Sequence, residues 1–159
     1  MMNSVVEEDT SSSNVGNQYW EHTPARILVV DDFAPFREFT SVVLKNHVGF
    51  QVVAEAADGR EAILKARESR PNLVVLDMDL PLLCGIEVAR QIRLCSPDTA
   101  ILFLSGNSDP DVVEAALETG ALGYVLKLDA VDDLLDAAKV VLSGQRFVSR
   151  RLRPRTELC

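Results

Sequence analysis

The chain has 159 residues, 47% of them hydrophobic, and a formal net charge of −8, which suits one packed domain and excludes two domains of ordinary size. Residues 145–159 hold five arginines and one glutamate, so residues 1–144 carry a net charge of −12 and are too acidic for broad nucleic-acid binding. Three cysteines without C-x-x-C spacing, and no apolar run near the roughly 20 residues that cross a bilayer, indicate a cytoplasmic protein with no zinc site and no membrane partner.

Residues 1–24 are rich in serine, asparagine and glutamate and show no sustained periodicity, which predicts a disordered N-terminal leader. After this leader, five short apolar segments alternate with segments of helical periodicity. The five predicted strands are RILVV at 26–30, FQVVAEA at 50–56, LVVL at 73–76, AILFL at 100–104 and GYVL at 123–126. Strands that alternate with helices predict an α/β fold, in which a parallel sheet carries helices on both faces.

The last two predicted helices have clear end signals. Asp109 precedes Pro110 and can cap a helix that ends at Gly120. Asp129 can cap the following helix, which ends at Gly144. The apolar stripe of this last helix is predicted at Val131, Leu134, Leu135, Ala138 and Leu142.

Polar side chains follow four of the five predicted strands. They are Asp31 and Asp32 after the first strand, Asp77 after the third, Ser105 after the fourth and Lys127 after the fifth. Since the carboxyl ends of parallel strands meet at one edge of the sheet, where α/β proteins bind ligands, these side chains are expected to converge. Each has a simpler alternative: the aspartate pair can cap the first helix, the single aspartate and the serine can lie in turns, and the lysine can be solvated.

Three clustered carboxylates require a cation, because two like charges about 4 Å apart repel by about 4 kcal/mol at an effective dielectric constant of about 20. A few hard oxygen ligands suit Mg²⁺. With such an ion in place, a carboxylate can attack phosphorus while a lysine helps to neutralise the phosphoryl oxygens. The predicted phosphoryl-transfer site has Asp77 as nucleophile, Asp31 and Asp32 as metal ligands, Lys127 as counter-charge and Ser105 as hydrogen-bond donor.

Residues 25–148 resemble the receiver domain of two-component response regulators, and VVLSGQRFVS at 140–149 resembles the receivers that precede a LuxR-type helix-turn-helix. The motifs are VVDDF at 29–33, LDMDLPLLCGIE at 76–87, LSG at 104–106 and GYVLK at 123–127. The resemblance implies a flavodoxin-like (βα)5 fold, a doubly wound parallel sheet with strand order 2-1-3-4-5. It also implies a signalling switch that is not an enzyme beyond its own phosphoryl transfer and dephosphorylation. Residues 149–159 are expected to form a basic tail without the output domain.

The resemblance also implies a metal site around the phosphoacceptor. Asp77 would be phosphorylated, and Asp32, Asp77 and the main-chain carbonyl of Asp79 would bind Mg²⁺ or Mn²⁺ directly. Asp31 would contact the ion through water. The side chain of Asp79 adds negative charge near the phosphoryl group.

Further roles fall on the last two strands. By resemblance, Ser105, Gly106 and Lys127 would bind the phosphoryl oxygens, and Ser105 and Tyr124 would be the switch residues. The alternative for Tyr124 is a half-buried aromatic at the side of the sheet. The family often has a cis proline after the lysine, but Leu128 stands here, and a cis bond without proline would cost about 2.5–4 kcal/mol. We therefore expect a trans bond.

The implied partners are a sensor histidine kinase or phosphotransfer protein, and a downstream protein or a second copy of this chain. The predicted output surface comprises the fourth helix, the fifth strand and the fifth helix, and no direct nucleic-acid binding is expected without an output domain. Two alternative functions are a phosphorylation-independent interaction module and a haloacid-dehalogenase-type phosphatase, whose D-x-D motif residues 77–79 resemble. That phosphatase family places its acidic pair after the lysine, whereas Asp31 and Asp32 precede Lys127.

Overall fold

The structure is a computed structural model that describes residues 23–153. Within these residues, six parallel strands form one sheet and five α-helices pack against it. The strands are β1 (Ala25–Val30), β2 (Phe50–Ala56), β3 (Leu73–Leu76), β4 (Ala100–Ser105), β5 (Gly123–Leu126) and β6 (Phe147–Val148). The helices are α1 (Ala34–Lys45), α2 (Gly59–Ser69), α3 (Gly85–Cys95), α4 (Pro110–Glu118) and α5 (Ala130–Leu142). The predicted α/β fold is confirmed.

The order of strands across the sheet is β2-β1-β3-β4-β5-β6. It contains the predicted order 2-1-3-4-5 and adds a short sixth strand, which pairs in parallel with β5. The sequence analysis placed no strand there, because two residues are too few to show a periodic pattern. A 3₁₀ helix at Arg150–Leu152 continues the ordered chain beyond residue 148, where the receiver domain was expected to end.

Hydrophobic cores lie on both faces of the sheet. In β1, Leu28 and Val30 belong to the core under α2, α3 and α4, whereas Ile27 and Val29 belong to the core under α1 and α5. This alternation follows from the two-residue repeat of a strand. Because helices cover both faces, the inner strand β3 is buried along its whole length and its sequence is continuously apolar.

The predicted ends of α4 are confirmed. The carboxylate of Asp109 accepts a hydrogen bond from the backbone N–H of Asp111 at 2.9 Å, which caps the helix. Gly120 follows the helix with φ of 99°, and Gly144 follows α5 with φ of 88°. Glycine adopts these left-handed conformations without the strain that a Cβ atom would add.

Two predictions about α5 are wrong. Asp129 is the N-cap residue, but its side chain makes no capping bond and instead accepts a hydrogen bond from Nε of Arg151 at 2.8 Å. Val131 is 79% exposed, although helical spacing placed it on the apolar stripe. The buried face of α5 comprises Ala130, Leu134, Ala137, Ala138 and Val141, so it is rotated from the predicted stripe. Alanines give a weaker hydrophobic signal than valine or leucine, and three of these five residues are alanines.

The described residues contain no cis peptide bond, so the expected trans bond between Lys127 and Leu128 is confirmed. They also contain no helix that is both long enough and apolar enough to span a membrane. The predicted leader, residues 1–24, lies outside the described part of the chain except for Thr23 and Pro24. The last six residues of the expected basic tail, 154–159, lie outside it as well.

Candidate functional site

The site lies at the carboxyl ends of β1 and β3, which are neighbours in the sheet. These strands pair in register up to Val30 and Leu76, so the residues that follow them, Asp31 and Asp77, lie side by side. The backbone N–H of Asp77 donates to the carbonyl of Val30 at 3.0 Å. Both aspartates are buried, Asp32 is exposed, and one carboxylate oxygen of each of the three lies within 4.8 Å of the others. The expected convergence of carboxylates is therefore present.

Lys127 extends from the end of β5 into this acidic cluster. Its Nζ lies 2.9 Å from Oδ2 of Asp31 and 3.3 Å from Oδ2 of Asp77. The same Nζ lies 4.7 Å from the ring centroid of Phe36, a distance that allows a cation–π interaction. Lys127 is thus a partner of both buried aspartates, and the alternative of a solvated lysine is wrong.

The cluster carries more negative than positive charge, and the pKa values reflect this. Burial raises the pKa of Asp77 to about 6, because the attraction of Lys127 offsets only part of the burial effect and the charge of Asp31 adds repulsion. Burial alone would lower the pKa of Lys127, but its hydrogen bond to Asp31 and the charges of both aspartates raise it above the ordinary value. Both shifts favour uptake of a proton, so the site favours additional positive charge.

The residues present fit a divalent cation. Asp31, Asp32 and Asp77 offer only oxygen ligands, which Mg²⁺ and Mn²⁺ prefer, and their oxygens are close enough together to share one ion. Asp79 lies beside the cluster, where its backbone N–H approaches Oδ1 of Asp77 at 3.4 Å. Binding of a metal by its main-chain carbonyl stays a prediction.

The alternative in which the aspartate pair caps α1 holds only in part. The N-cap residue is Phe33, which makes no side-chain capping bond. Its backbone N–H donates to Oδ1 of Asp31 at 2.9 Å, so one oxygen of this aspartate organises the start of the helix. The other oxygen, Oδ2, pairs with Lys127. Asp31 therefore serves the local turn and the acidic cluster together.

The two predicted switch residues, Ser105 and Tyr124, are both buried and contact the same neighbour. Ser105 is the last residue of β4, and Gly106 follows it. The hydroxyl oxygen of Ser105 accepts a hydrogen bond from the N–H of Asn107 at 3.0 Å. Tyr124 of β5 is fully buried, and its hydroxyl donates to the carbonyl of Asn107 at 2.7 Å. Both predicted switch residues are thus bound to the main chain of Asn107. The sequence analysis did not single this residue out, because no motif signal marks a main-chain contact.

Tyr124 is not a half-buried residue at the side of the sheet. It pairs with Val148 of β6, which covers β5 on the side away from β4. Burial raises the pKa of its phenol above the ordinary value. The ring therefore already occupies an inward position in this structure.

Gly85 connects the acidic cluster to α3. Its backbone N–H donates to the carbonyl of Met78 at 2.7 Å. A Cβ atom on Gly85 would lie 2.5 Å from the carbonyl oxygen of Asp77 and 2.8 Å from Cα of Met78. Helix α3 therefore starts in direct backbone contact with the chain that carries Asp77. By contrast, a Cβ atom on Gly106 would have no atom within 4 Å.

Comparison with known proteins identifies the class. The family model described as the response regulator receiver domain matches residues 27–139. The match includes the three aspartates of the acidic cluster, the serine and the lysine. The chain therefore belongs to the response regulator receiver domain family, as the resemblance predicted.

Individual relatives agree with this assignment. The chain is 33% identical over 132 residues to the transcriptional regulatory protein DegU of Brevibacillus brevis, covering 83% of this chain and 56% of that protein. It is 34% identical over 122 residues to the transcription regulator BvgA of Bordetella pertussis, covering 77% of this chain and 58% of that protein. The chain thus spans less than two thirds of either relative. The crystal structure of a LuxR-family two-component response regulator from Aurantimonas sp. SI85-9A1 matches with a TM-score of 0.78 and 37% identity, over 82% of this chain and 93% of that chain.

Proposed function

We propose that the chain is a phosphorylation-dependent signalling switch in which Asp77 receives the phosphoryl group. The proposal depends chiefly on the convergence of three carboxylates and one lysine at the carboxyl edge of the sheet. Membership of the receiver family supports it, since receiver domains are signalling proteins rather than classical enzymes. Any dephosphorylation that the site performs on its own Asp77 belongs to this proposal.

The proposed phosphodonor is a phosphohistidine of a sensor histidine kinase or of a phosphotransfer protein, or a small acyl phosphate. The proposed downstream partner is another protein or a second copy of this chain, and the proposed location is the cytoplasm. Family membership supports the donor class. The chain spans less than two thirds of the transcription regulators named above, so their output functions are not carried over to it.

Asp77 is the proposed nucleophile. One of its carboxylate oxygens forms a bond to phosphorus while the bond from phosphorus to the donor breaks, and the leaving group keeps the electron pair. At neutral pH the carboxylate is mainly ionised, because its pKa of about 6 lies below that pH. Lys127, 3.3 Å from this carboxylate, can pair with the oxygens of the incoming phosphoryl group.

The remaining residues have supporting roles. Asp31, Asp32, Asp77 and the main-chain carbonyl of Asp79 are proposed to hold Mg²⁺ or Mn²⁺. When bound, the ion supplies positive charge to the phosphoryl oxygens. The hydroxyl of Ser105 already accepts a hydrogen bond and can donate its own proton to another phosphoryl oxygen. The open space at Gly106 leaves room for that oxygen.

Incubation with acetyl phosphate followed by intact-mass spectrometry tests the proposal. We expect one phosphoryl adduct per chain with Mg²⁺ and none after chelation by EDTA. Hydrolysis of added phosphomonoesters should stay at the level of buffer. Efficient turnover of phosphomonoesters without an adduct would support the phosphatase, and the absence of an adduct with acetyl phosphate and with a phosphohistidine donor would support the phosphorylation-independent module.

The proposed switch uses Ser105, Asn107 and Tyr124. A phosphoryl group on Asp77 would attract the hydroxyl of Ser105 and strengthen its pairing with Lys127. Because Tyr124 is already buried and bound to Asn107, we infer that phosphorylation stabilises this inward arrangement. A shift of the population from about 1:99 to about 99:1 takes about 5.5 kcal/mol, so loss of one contact should uncouple the switch. The responding surface comprises α4, β5 and the outer side of α5.

Replacement of Ser105 by alanine should separate labelling from switching. We expect Ser105→Ala to accept phosphate at Asp77 but not to show the phosphorylation-dependent shifts of the backbone amide signals of residues 106–124. Heteronuclear NMR before and after phosphorylation measures these shifts. Ser105→Thr keeps the hydroxyl and should behave like wild type. Equal shifts in Ser105→Ala and wild type would contradict this role of Ser105.

A further inference from the structure

The chain returns to the sheet after α5 and binds the outer side of β5. The N–H of Phe147 donates to the carbonyl of Leu122 at 3.0 Å, and the N–H of Ser149 donates to the carbonyl of Tyr124 at 3.0 Å. Ser149 has no exposed surface. The segment therefore forms a true extension of the sheet and brings a buried serine beside the end of β5.

The side chain of Ser149 supplies the next hydrogen bond to β5, where the main chain of the sixth strand no longer does. In a parallel ladder that continued, the carbonyl of Ser149 would accept the N–H of Leu126. Here that carbonyl accepts from the N–H of Leu152 at 2.9 Å, which begins the 3₁₀ helix. The hydroxyl oxygen of Ser149 accepts the N–H of Leu126 instead, at 3.0 Å. One side chain thus replaces a main-chain acceptor and satisfies a buried donor.

This hydrogen bond lies directly before the lysine of the candidate site. Leu126 is the last residue of β5, and Lys127 follows it in a 3₁₀ turn. From there the lysine reaches Asp31 and Asp77, which directly follow β1 and β3, across β4. A long, flexible side chain keeps such a position only if its backbone is held in place, because a small displacement at the base is carried to the charged end.

A second contact holds the backbone that follows Lys127 in sequence. Asp129, two residues after Lys127, accepts a hydrogen bond from Nε of Arg151 at 2.8 Å. The 3₁₀ turn with Lys127 is therefore connected to the C-terminal segment at both of its ends, through Ser149 before it and Arg151 after it. The Ser149 contact is fully buried, whereas the Arg151 side chain is 62% exposed, so the serine is the stronger constraint.

We propose that Ser149 is a positioning residue for phosphoryl transfer, which acts by holding the end of β5 so that Lys127 reaches Asp77. The inference depends on the proposed function, since it assigns Ser149 a part in the same reaction. It makes residues 147–153 a component of the site, although none of them hydrogen-bonds to the acidic cluster.

A double-mutant cycle tests this role. Initial rates of adduct formation from acetyl phosphate with Mg²⁺ are measured by intact-mass spectrometry for wild type, Ser149→Ala, Lys127→Ala and the double variant. We expect Ser149→Ala to slow the wild-type reaction about tenfold, because a displaced catalytic group loses rate steeply with distance. In the Lys127→Ala background the same change should alter the rate by less than about twofold, because Ser149 acts through the lysine.

Ser41→Ala is the matched control. Ser41 is also buried, lies on α1, and its hydroxyl has no hydrogen-bond partner among residues 23–153. Its replacement should leave the rate unchanged. Circular dichroism checks that each variant is folded, and if Ser149→Ala does not fold, Ser149→Cys replaces it, because the thiol is a weaker acceptor of similar size.

The outcomes separate this inference from the proposed function. No adduct on wild-type protein would contradict the proposed function itself. A labelled wild type together with a Ser149→Ala rate within about twofold of it would overturn the role of Ser149. Equal rate losses in the Lys127 and Lys127→Ala backgrounds would overturn it as well, because they would show a general structural effect that does not pass through the lysine.

Discussion

Replacement of Asp77 by asparagine is expected to abolish the phosphoryl adduct and to stabilise the metal-free protein. The asparagine has nearly the shape of the aspartate but lacks the nucleophilic carboxylate. It also removes a charge that is buried beside Asp31. Because the folded-state pKa of Asp77 is about 6, about 2 units above the ordinary value, ionisation of Asp77 lowers the free energy of unfolding at pH 7 by up to about 3 kcal/mol.

The pH dependence of this effect has a definite sign. A carboxyl group with a raised folded-state pKa binds more protons in the folded than in the unfolded state between about pH 4 and about pH 6. Wild-type stability should therefore fall relative to Asp77→Asn as the pH rises through this window, and the difference should be constant above it. Urea unfolding in EDTA at several pH values measures the difference.

A matched control for this experiment is Asp98→Asn. Asp98 is exposed and precedes β4, at the opposite edge of the sheet, so its replacement should produce no comparable stabilisation. A stability difference between wild type and Asp77→Asn that does not change with pH would contradict the proposed cost of the buried charge. An adduct on Asp77→Asn would contradict the assignment of the phosphoacceptor.

Replacement of Gly85 by alanine is expected to lower the free energy of unfolding by about 3 kcal/mol, the upper part of the range for overpacked sites. The added Cβ atom would lie 2.5 Å from the carbonyl oxygen of Asp77 and 2.8 Å from Cα of Met78. Both neighbours are main-chain atoms, so no side chain can move aside. Either α3 or the chain that carries Asp77 must shift, and labelling by acetyl phosphate should decrease as well.

The same change at Gly106 provides the stability control. An alanine there would meet no atom within 4 Å, and we expect its effect on the free energy of unfolding to stay below about 1 kcal/mol. Chemical denaturation of both variants measures the two effects. If the two substitutions destabilise the protein equally, close backbone packing at Gly85 is not the cause.

The sequence was sufficient to predict the sheet and the acidic cluster, because both follow from general properties of parallel strands. A strand buried on both faces is apolar throughout, as in Leu73–Leu76, and it is easy to recognise. The carboxyl ends of such strands meet at one edge, so residues that follow them converge whatever the details of packing. Asp31, Asp77 and Lys127 were found in this way.

Contacts that depend on the exact position of a main chain could not be predicted. Asn107 binds Ser105 through its N–H and Tyr124 through its carbonyl, and neither contact involves its side chain. Phe36 lies near Lys127 because of the start and orientation of α1, which no motif encodes. The role of such residues becomes visible only when the elements are placed in three dimensions.

The backbone conformation of Asp129 explains why its side chain does not cap α5. An aspartate before a helix predicts a cap, because its carboxylate can accept the free N–H groups of the first turn. A side-chain cap needs extended backbone, whereas Asp129 lies in the 3₁₀ turn before α5 with φ of −101° and ψ of 5°. Its Oδ1 accepts from Nε of Arg151 at 2.8 Å, and its Oδ2 has no hydrogen-bond partner among the described residues. Local sequence signals do not show that a 3₁₀ turn leads directly into the helix.

The short strand β6 also affects how the sheet meets other molecules. An outermost strand has unpaired main-chain N–H and C=O groups, which can pair with a strand of another molecule. Such pairing is a common route to aggregation. On one side of the sheet, the pairing of the seven-residue β2 with β1 is irregular near Val53. Nζ of Lys65 also donates a hydrogen bond to the carbonyl of Glu55 in this strand, at 2.6 Å. On the other side, β6 limits the outermost strand to two residues, Phe147 and Val148. Without β6, the four-residue β5 would be the outermost strand, so β6 leaves a shorter edge for intermolecular strand pairing.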